Sequence, residues 1–271
     1  MTDLPLKGQV ALVTGAGRGL GRAFAETLAK MGASIAVHGM RENGPAEFGE
    51  GTTLTATADE IGKAHGVKTV RILGDLTRTD QVARVVAEAE RALGPIDILV
   101  HNAGGDIAAA GGKPNPNDCV FIKEVDVRAV IDRNLLSTIF VCQEVAKGMM
   151  ERRRGRIVTL SSIGAYVGRD VAAIYATAKA GVVHYTRCLA AQMRPYDVTV
   201  NSIAPGGTRT GRFLGTGQGS DPRRMVTEGT LDRIATVDEV ARTVAFFAGP
   251  EGAFVTGQTL RVDGGGQLWP A

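Results

Sequence analysis

Short runs of consecutive apolar residues alternate along this chain with stretches in which apolar residues recur every three or four positions. Q-V-A-L-V (9–13) runs into glycines, and A-F-A-E-T-L-A-K-M (23–31) then carries Phe24, Leu28 and Met31 at helical spacing. Further strands are predicted at S-I-A-V-H (34–38), K-T-V-R-I-L (68–73), I-D-I-L-V-H (96–101), R-I-V-T-L-S (156–161), V-T-V-N-S-I (198–203) and T-L-R-V (259–262). Between them the spacing predicts helices over 53–65, 80–92, 126–152, 173–194 and 237–248. Strands that are apolar at every position belong to a parallel sheet covered on both faces. With right-handed crossovers, the expectation is one α/β domain over residues 1–271. It would be a Rossmann-type doubly wound parallel sheet of about seven strands with helices on both faces.

Two segments break the rhythm. G-G-K-P-N-P-N-D (111–118) reads equally as a surface loop or a substrate lid, and the Gly-rich 208–222 reads as a lid. That lid carries Arg209, Arg212, Arg223 and Arg224, which suit either a solubilising loop or an anion such as a carboxylate or phosphate.

Composition narrows the function classes. With 271 residues and 44% hydrophobic content, the chain can build a core without disulfides or metals. A net charge of +3 argues against nucleic acid as the partner. The one dense basic run, Arg152, Arg153, Arg154 and Arg156, reads as a helix end, where cations favour the dipole. Cys119, Cys142 and Cys188 show no paired spacing and suit reduced thiols in the cytoplasm. Neither a signal peptide nor a membrane-length apolar run is present, so no membrane association is expected. His38, His65, His101 and His184 are scattered without ligand spacing, and no metal is expected.

The candidate chemistry begins after the first strand, at V-T-G-A-G-R-G-L-G-R-A-F (13–24). Gly15, Gly17, Gly19 and Gly21 occupy every second position directly before a helix. Such glycines allow positive φ and close backbone approach, and the helix start offers free N–H groups to a pyrophosphate. A second constellation is Y-A-T-A-K, in which Tyr175 and Lys179 share a helix face. An ammonium near a phenol favours the phenolate. Ser161 and Ser162 end the preceding strand, and alternation lets only one of them face a given site.

These motifs resemble the short-chain dehydrogenase/reductase family. T-G-A-G-R-G-L-G is similar to its T-G-x-x-x-G-x-G signature, with Thr14, Gly15, Gly19 and Gly21 in place, and Y-A-T-A-K to its Y-x-x-x-K site. N-A-G-G (102–105), D-L (75–76), Asn134 in I-D-R-N-L-L, P-G-G-T-R-T (205–210) and V-D-G-G (262–265) match further family elements in order. The resemblance spans roughly residues 7–266. It implies a catalytic tetrad of Asn134, Ser162, Tyr175 and Lys179, with Ser162 selected by its distance from the tyrosine. Tyr175 would exchange the proton, Ser162 would bond the substrate oxygen, and Lys179 would lower the Tyr175 pKa and bind the nicotinamide ribose. Asn134 would hold a relaying water. Cofactor contacts would come from Thr14, Gly15, Arg18, Gly19, Gly21, Arg41, Asp75, Leu76, Asn102, Tyr175, Lys179, Pro205, Gly206 and Thr210. The implied reaction is reversible hydride transfer between a nicotinamide and a small carbonyl or secondary-alcohol substrate, in a homotetramer built on the helices at 126–152 and 173–194.

Two questions stay open in the sequence. An acid at the end of the second strand would bind an NAD ribose, but that place falls on Gly39, and Glu42 comes three residues late. Arg18 and Arg41 could clamp a 2′-phosphate, so NADP is expected, with NAD as the alternative. The length and the R-V-D-G-G-G ending resemble the branch of 3-oxoacyl carrier-protein reductases. Extra residues around 43–52 and 106–124 depart from its compact form, which favours a carbonyl reductase or alcohol dehydrogenase over a 3-oxoacyl thioester reductase. A non-catalytic, nucleotide-sensing regulator is the reading from a different class, and its mark would be a broken tetrad.

Overall fold

The computed structural model describes residues 4–215 and 221–269; residues 216–220 of the expected lid lie outside them. Seven strands form one sheet: β1 (Val10–Thr14), β2 (Ser34–Gly39), β3 (Thr69–Leu73), β4 (Ile98–His101), β5 (Gly155–Leu160), β6 (Val198–Pro205) and β7 (Thr259–Val262). Their order is β3-β2-β1-β4-β5-β6-β7, and every neighbouring pair is parallel. The helices are α1 (Gly19–Lys30), α2 (Leu54–His65), α3 (Thr79–Leu93), α4 (Glu124–Ile131), α5 (Ser137–Arg152), α6 (Ala173–Met193), α7 (Gly211–Gly215) and α8 (Val237–Ala248). The doubly wound parallel sheet expected from the strand composition is the observed architecture.

Alternation within each strand explains why the strands are apolar throughout. In β1, Ala11 and Val13 enter the cluster with Phe24, Leu28, Leu54 and Val244 from α1, α2 and α8. Val10 and Leu12 enter the opposite cluster with Val85, Val141 and Met193 from α3, α5 and α6. Both sides are dry, so no position of β1 can be polar until its last residue.

Three local outcomes refine the expectation. Helix α1 starts at Gly19, four residues before the apolar periodicity sets in, because the glycine loop supplies its first turn. The long helix expected over 126–152 is α4 and α5 joined by a π-helical turn, Asp132–Leu136. The basic run after α5 braces the chain as well as ending a helix. Arg152 donates to the Ile96 carbonyl, Arg153 to that of Pro195, and Arg154 pairs with buried Asp97, which also accepts from the Val10 N–H.

Candidate active site

All seven strands end at one edge, and the strand order reverses direction between β1 and β4. Ligands of open parallel sheets bind outside that edge at such a switch. The first two turns of chain beyond it form the floor of the site. Thr14 is fully buried, and its hydroxyl accepts from the N–H groups of Asn102 at 3.0 Å and Ala103 at 3.1 Å. Asn102 returns a bond from Nδ2 to the Gly15 carbonyl at 3.1 Å. Thr14 therefore braces the glycine loop from below. The side chain of Leu76 lies in the core between the sheet and α3.

The glycine loop meets the demands of a dinucleotide. Gly15 and Gly19 have φ of +63° and +54°, and a Cβ on Gly21 would collide with the Gly15 carbonyl. Arg18 is the residue before the first turn of α1, whose leading N–H groups have no partner within the helix. Such a loop could hold an anionic pyrophosphate. Asp75 stands at the end of β3, with one carboxylate oxygen taken by the Thr77 N–H and hydroxyl. Pro205 ends β6, Gly206 bonds the Val262 carbonyl, and Thr210 caps α7 through the Phe213 N–H with its methyl group facing Gly19.

The segment between β2 and α2 answers the question of the missing acid. Glu42 turns away from the loop, accepting from the Thr55 N–H at the start of α2 and lying 3.6 Å from Arg71. Gly39 faces Leu54. Arg18 and Arg41 instead converge on one oxygen of Glu47, at 2.9 and 3.3 Å. Phe48 stacks beneath the Arg18 guanidinium at 4.3 Å from its ring centre, and Glu50 accepts from the Gly211 N–H. The segment thus reaches across the glycine loop to α7.

The catalytic candidates assemble at the ends of β5 and α6. Ser161 is buried and donates to the Lys179 carbonyl at 2.9 Å, tying α6 to the sheet. Ser162 accepts from the Gly164 N–H and faces the Tyr175 phenol. Lys179 is buried under the Tyr175 ring, with Nζ 5.7 Å from the ring centre and 2.7 Å from the Leu160 carbonyl. Burial pulls the Lys179 ammonium down to about 8. It pushes Tyr175 above the ordinary phenol value, against a smaller opposing pull from the Ser162 hydroxyl. The lowering of the phenol by Lys179 expected from the sequence is therefore not the dominant effect in this arrangement.

Asn134 sits in the π turn, fully buried. Its Nδ2 donates to the carbonyls of Gly105 at 2.9 Å and Val130 at 2.8 Å, while Oδ1 accepts from the Gly105 N–H. Both amide hydrogens are spent, so any water held by Asn134 must donate to one of its oxygens. A Cβ on Gly104 would lie 2.6 Å from Asn134 Oδ1. The turn and the strand end are fitted to each other.

A family model described as enoyl-(acyl carrier protein) reductase matches residues 15–267. Cyclohexanol dehydrogenase of Rhodococcus sp. (strain TK6) is 36% identical over 274 residues, covering 98% of each chain. The 3-oxoacyl-(acyl-carrier-protein) reductase FabG of Escherichia coli (strain K12) is 34% identical, covering 96% of this chain and 97% of its own. The chain belongs to the short-chain dehydrogenase/reductase family. It is an NAD(P)-dependent oxidoreductase acting between carbonyl and alcohol. A short-chain type dehydrogenase/reductase from Mycobacterium ulcerans superposes on the enzyme with a TM-score of 0.83 at 28% identity, covering 96% of this chain and 90% of that one.

Sequence reasoning passed over several residues of the enzyme's site. Glu47, Phe48 and Glu50 lie in the segment that the sequence marks only as extra length. The available signal was two acids flanking an aromatic just beyond Arg41. Of the lid arginines, Arg209 bonds the Val226 carbonyl, Arg223 pairs with Asp221, and Arg224 with Asp232. Arg212 alone turns to the site, over the Gly104 carbonyl and within range of Tyr175.

Proposed function

We propose that the enzyme oxidises a secondary alcohol, or reduces the matching ketone, with NADP(H) as the hydride carrier and Tyr175 as the group that exchanges the proton. The observation that carries this reading is the convergence of Ser162, Tyr175 and buried Lys179 beside the glycine cradle at the switch point of the sheet. When bound, the nicotinamide supplies a hydride acceptor or donor. In the oxidative direction Tyr175 must first give up its own proton; its phenolate oxygen then takes the hydroxyl proton as the carbinol carbon loses its hydride, giving ketone, reduced cofactor and one released proton. In reverse, Tyr175 returns that proton to the carbonyl oxygen. Ser162 hydrogen-bonds the same oxygen, and a fixed donor stabilises charge as it grows there. Lys179 holds positive charge below the phenol ring and would bind the nicotinamide ribose, as the family resemblance implies. Asn134 acts as a positioning residue through Gly105 and the π turn.

The preference for NADP is supported by two guanidinium groups from separate segments that already close on a single anion. The absence of any side chain at Gly39 and the outward turn of Glu42 support it further. Similarity to a cyclohexanol dehydrogenase supports an alcohol substrate, and similarity to a 3-oxoacyl reductase supports ketone reduction. We also infer a homotetramer working in the cytoplasm. The outer faces of α5 and α6 carry partly buried Phe140, Met150 and Tyr185, and the cysteines are free thiols.

The test is Tyr175→Phe. Turnover of alcohols should fall by a factor of roughly a thousand or more, the scale of general acid–base catalysis, while NADPH binding followed by fluorescence persists. Near wild-type turnover in the variant refutes the assignment. Failure of the wild-type enzyme to turn over any alcohol or ketone on a broad panel would favour a nucleotide sensor instead.

A further inference from the structure

The segment after β4 builds a polar wall that neither the tetrad nor the cofactor cradle uses. Asp106 follows the Gly104–Gly105 turn held by Asn134. Eleven residues on, Asn117 donates from Nδ2 to Asp106 Oδ2 at 2.7 Å. The Asn117 carbonyl also accepts from the N–H of Ala172, the residue that opens α6 three positions before Tyr175. The pair is thereby docked against the start of the catalytic helix. Its placement is felt at the phenol, where Asp106 and Arg212 act with opposite sign.

Each member of the pair keeps one oxygen to spare. Asp106 Oδ1 and Asn117 Oδ1 are both buried and have no hydrogen-bond partner. Buried acceptors are normally paired, and leaving one unpaired is costly. Both are acceptors, so both call for donors. Hydroxyl groups supply donors without charge, and two of them on adjacent carbons fit two adjacent acceptors. An apolar ring or acyl chain in the same place would leave both oxygens stranded.

We propose that Asp106 and Asn117 form a diol-reading element of the substrate site, so that the alcohol oxidised here carries neighbouring hydroxyls beside its carbinol carbon. The substrate class is then a vicinal diol, either a neutral polyol or sugar, or a sugar-derived hydroxy acid. Arg212 distinguishes the two sources. It is the one lid arginine turned to the site, and among the described residues no carboxylate lies within ion-pair distance of it. A substrate carboxylate would find its counter-charge there.

The inference rests on the carbonyl–alcohol reading of the site, and the test separates the two. Wild-type enzyme is assayed with cyclohexanol, cis-cyclohexane-1,2-diol, a six-carbon polyol and the corresponding aldonic acid. The expected kcat/KM for the diol and polyol exceeds that for cyclohexanol by about tenfold or more, since a site built to bond a hydroxyl rejects the analogue lacking it. Asp106→Ala and Asn117→Ala should each cut that diol-to-monool ratio by about tenfold, mainly through KM. A further preference for the aldonic acid that disappears in Arg212→Gln would assign the acid branch; its absence assigns the neutral one. Wild-type preference for cyclohexanol overturns the inference even if the variants fail to fold, and so does a ratio unmoved by both alanine variants. Retained activity in Tyr175→Phe would overturn the proton-transfer reading while leaving the diol ratio standing.

Discussion

At the scale of single residues, Glu47 is the group through which the proposed preference for NADP can be tested. Its carboxylate occupies the point on which Arg18 and Arg41 close, and its side chain is 42% exposed. A 2′-phosphate carries more charge and more acceptor oxygens than a carboxylate, so it can displace Glu47, but it must first break two ion pairs. Exposed pairs of this kind are weak, about 0.2–1 kcal/mol each. Glu47→Gln should therefore tighten NADPH binding by roughly two- to thirtyfold, the sum of two such pairs, and change NADH binding little. Fluorescence titrations with both cofactors decide it. If NADPH binding weakens while NADH binding also falls, Glu47 is reading a ribose hydroxyl and the cofactor is NAD. Tyr175 makes the complementary point. Burial raises its pKa in the chain by itself, so the phenol arrives protonated at neutral pH and suited to donate.

Among the elements, the ends of neighbouring strands carry a buried polar layer directly beneath the site. Thr14, His101, Thr159 and Ser202 are in register across β1, β4, β5 and β6. The Thr14 hydroxyl accepts two N–H bonds and so donates to His101 Nδ1 at 3.2 Å. His101 Nε2–H then reaches the Ser137 hydroxyl, which donates to the Arg133 carbonyl in the π turn. His38 makes a second strut: it accepts from the Gly15 N–H at Nδ1 and donates from Nε2 to the Gly74 carbonyl. Both rings must stay neutral, and burial lowers His38 to about 4 and His101 to about 3. Above the ordinary value of about 6.5 both the folded and unfolded chains hold neutral histidines. As pH falls through that value the unfolded chain takes protons that the folded chain refuses, so stability drops steadily toward pH 4. Melting temperature should fall between pH 7 and 5, and His38→Gln, which keeps a donor and an acceptor, should flatten that slope. An unchanged slope would show that the strut does not set the acid limit.

This layer also marks what the sequence could disclose. Strand composition and helical spacing locate nearly every element, because burial on both faces forces apolar runs and the core repeats them. The glycine loop and the Tyr175–Lys179 pair are legible because their chemistry acts over a few residues of contiguous chain. The partners of Thr14, Glu47, Asp106 and His38 are not, because each bond spans long loops whose course depends on packing. Asp106 and Asn117 meet only after the segment between β4 and α4 has folded back against α6. The π turn is invisible for a related reason, since Asn134 reshapes it through Gly105, a residue on a different element.

Over the whole molecule, apolar surface collects on two faces that the sheet and its helices leave uncovered. One is along α5 and α6, where Phe140, Met150 and Tyr185 pack against the core but stay only partly buried. The other is at β7, which among the described residues pairs with β6 alone and leaves Leu260 46% exposed, with exposed Phe254 and 85% exposed Leu268 in the flanking chain. An exposed edge with large apolar side chains invites association unless something covers it. In the homotetramer proposed above, these two faces would be the two kinds of two-fold interface of a closed assembly. In that assembly, breaking one face leaves dimers held by the other. Leu260→Lys should yield dimers joined through α5 and α6, Tyr185→Glu should yield dimers joined through β7, and the double variant should yield monomers. Light scattering coupled to size exclusion distinguishes these masses directly. Because Tyr185 lies on the same helix as Tyr175 and Lys179, its variant should also lower the melting temperature and turnover together, whereas Leu260→Lys, far along the chain from that helix, should separate assembly from activity. A wild-type monomer, or single variants that remain tetrameric, would show that these faces meet solvent and not a second copy.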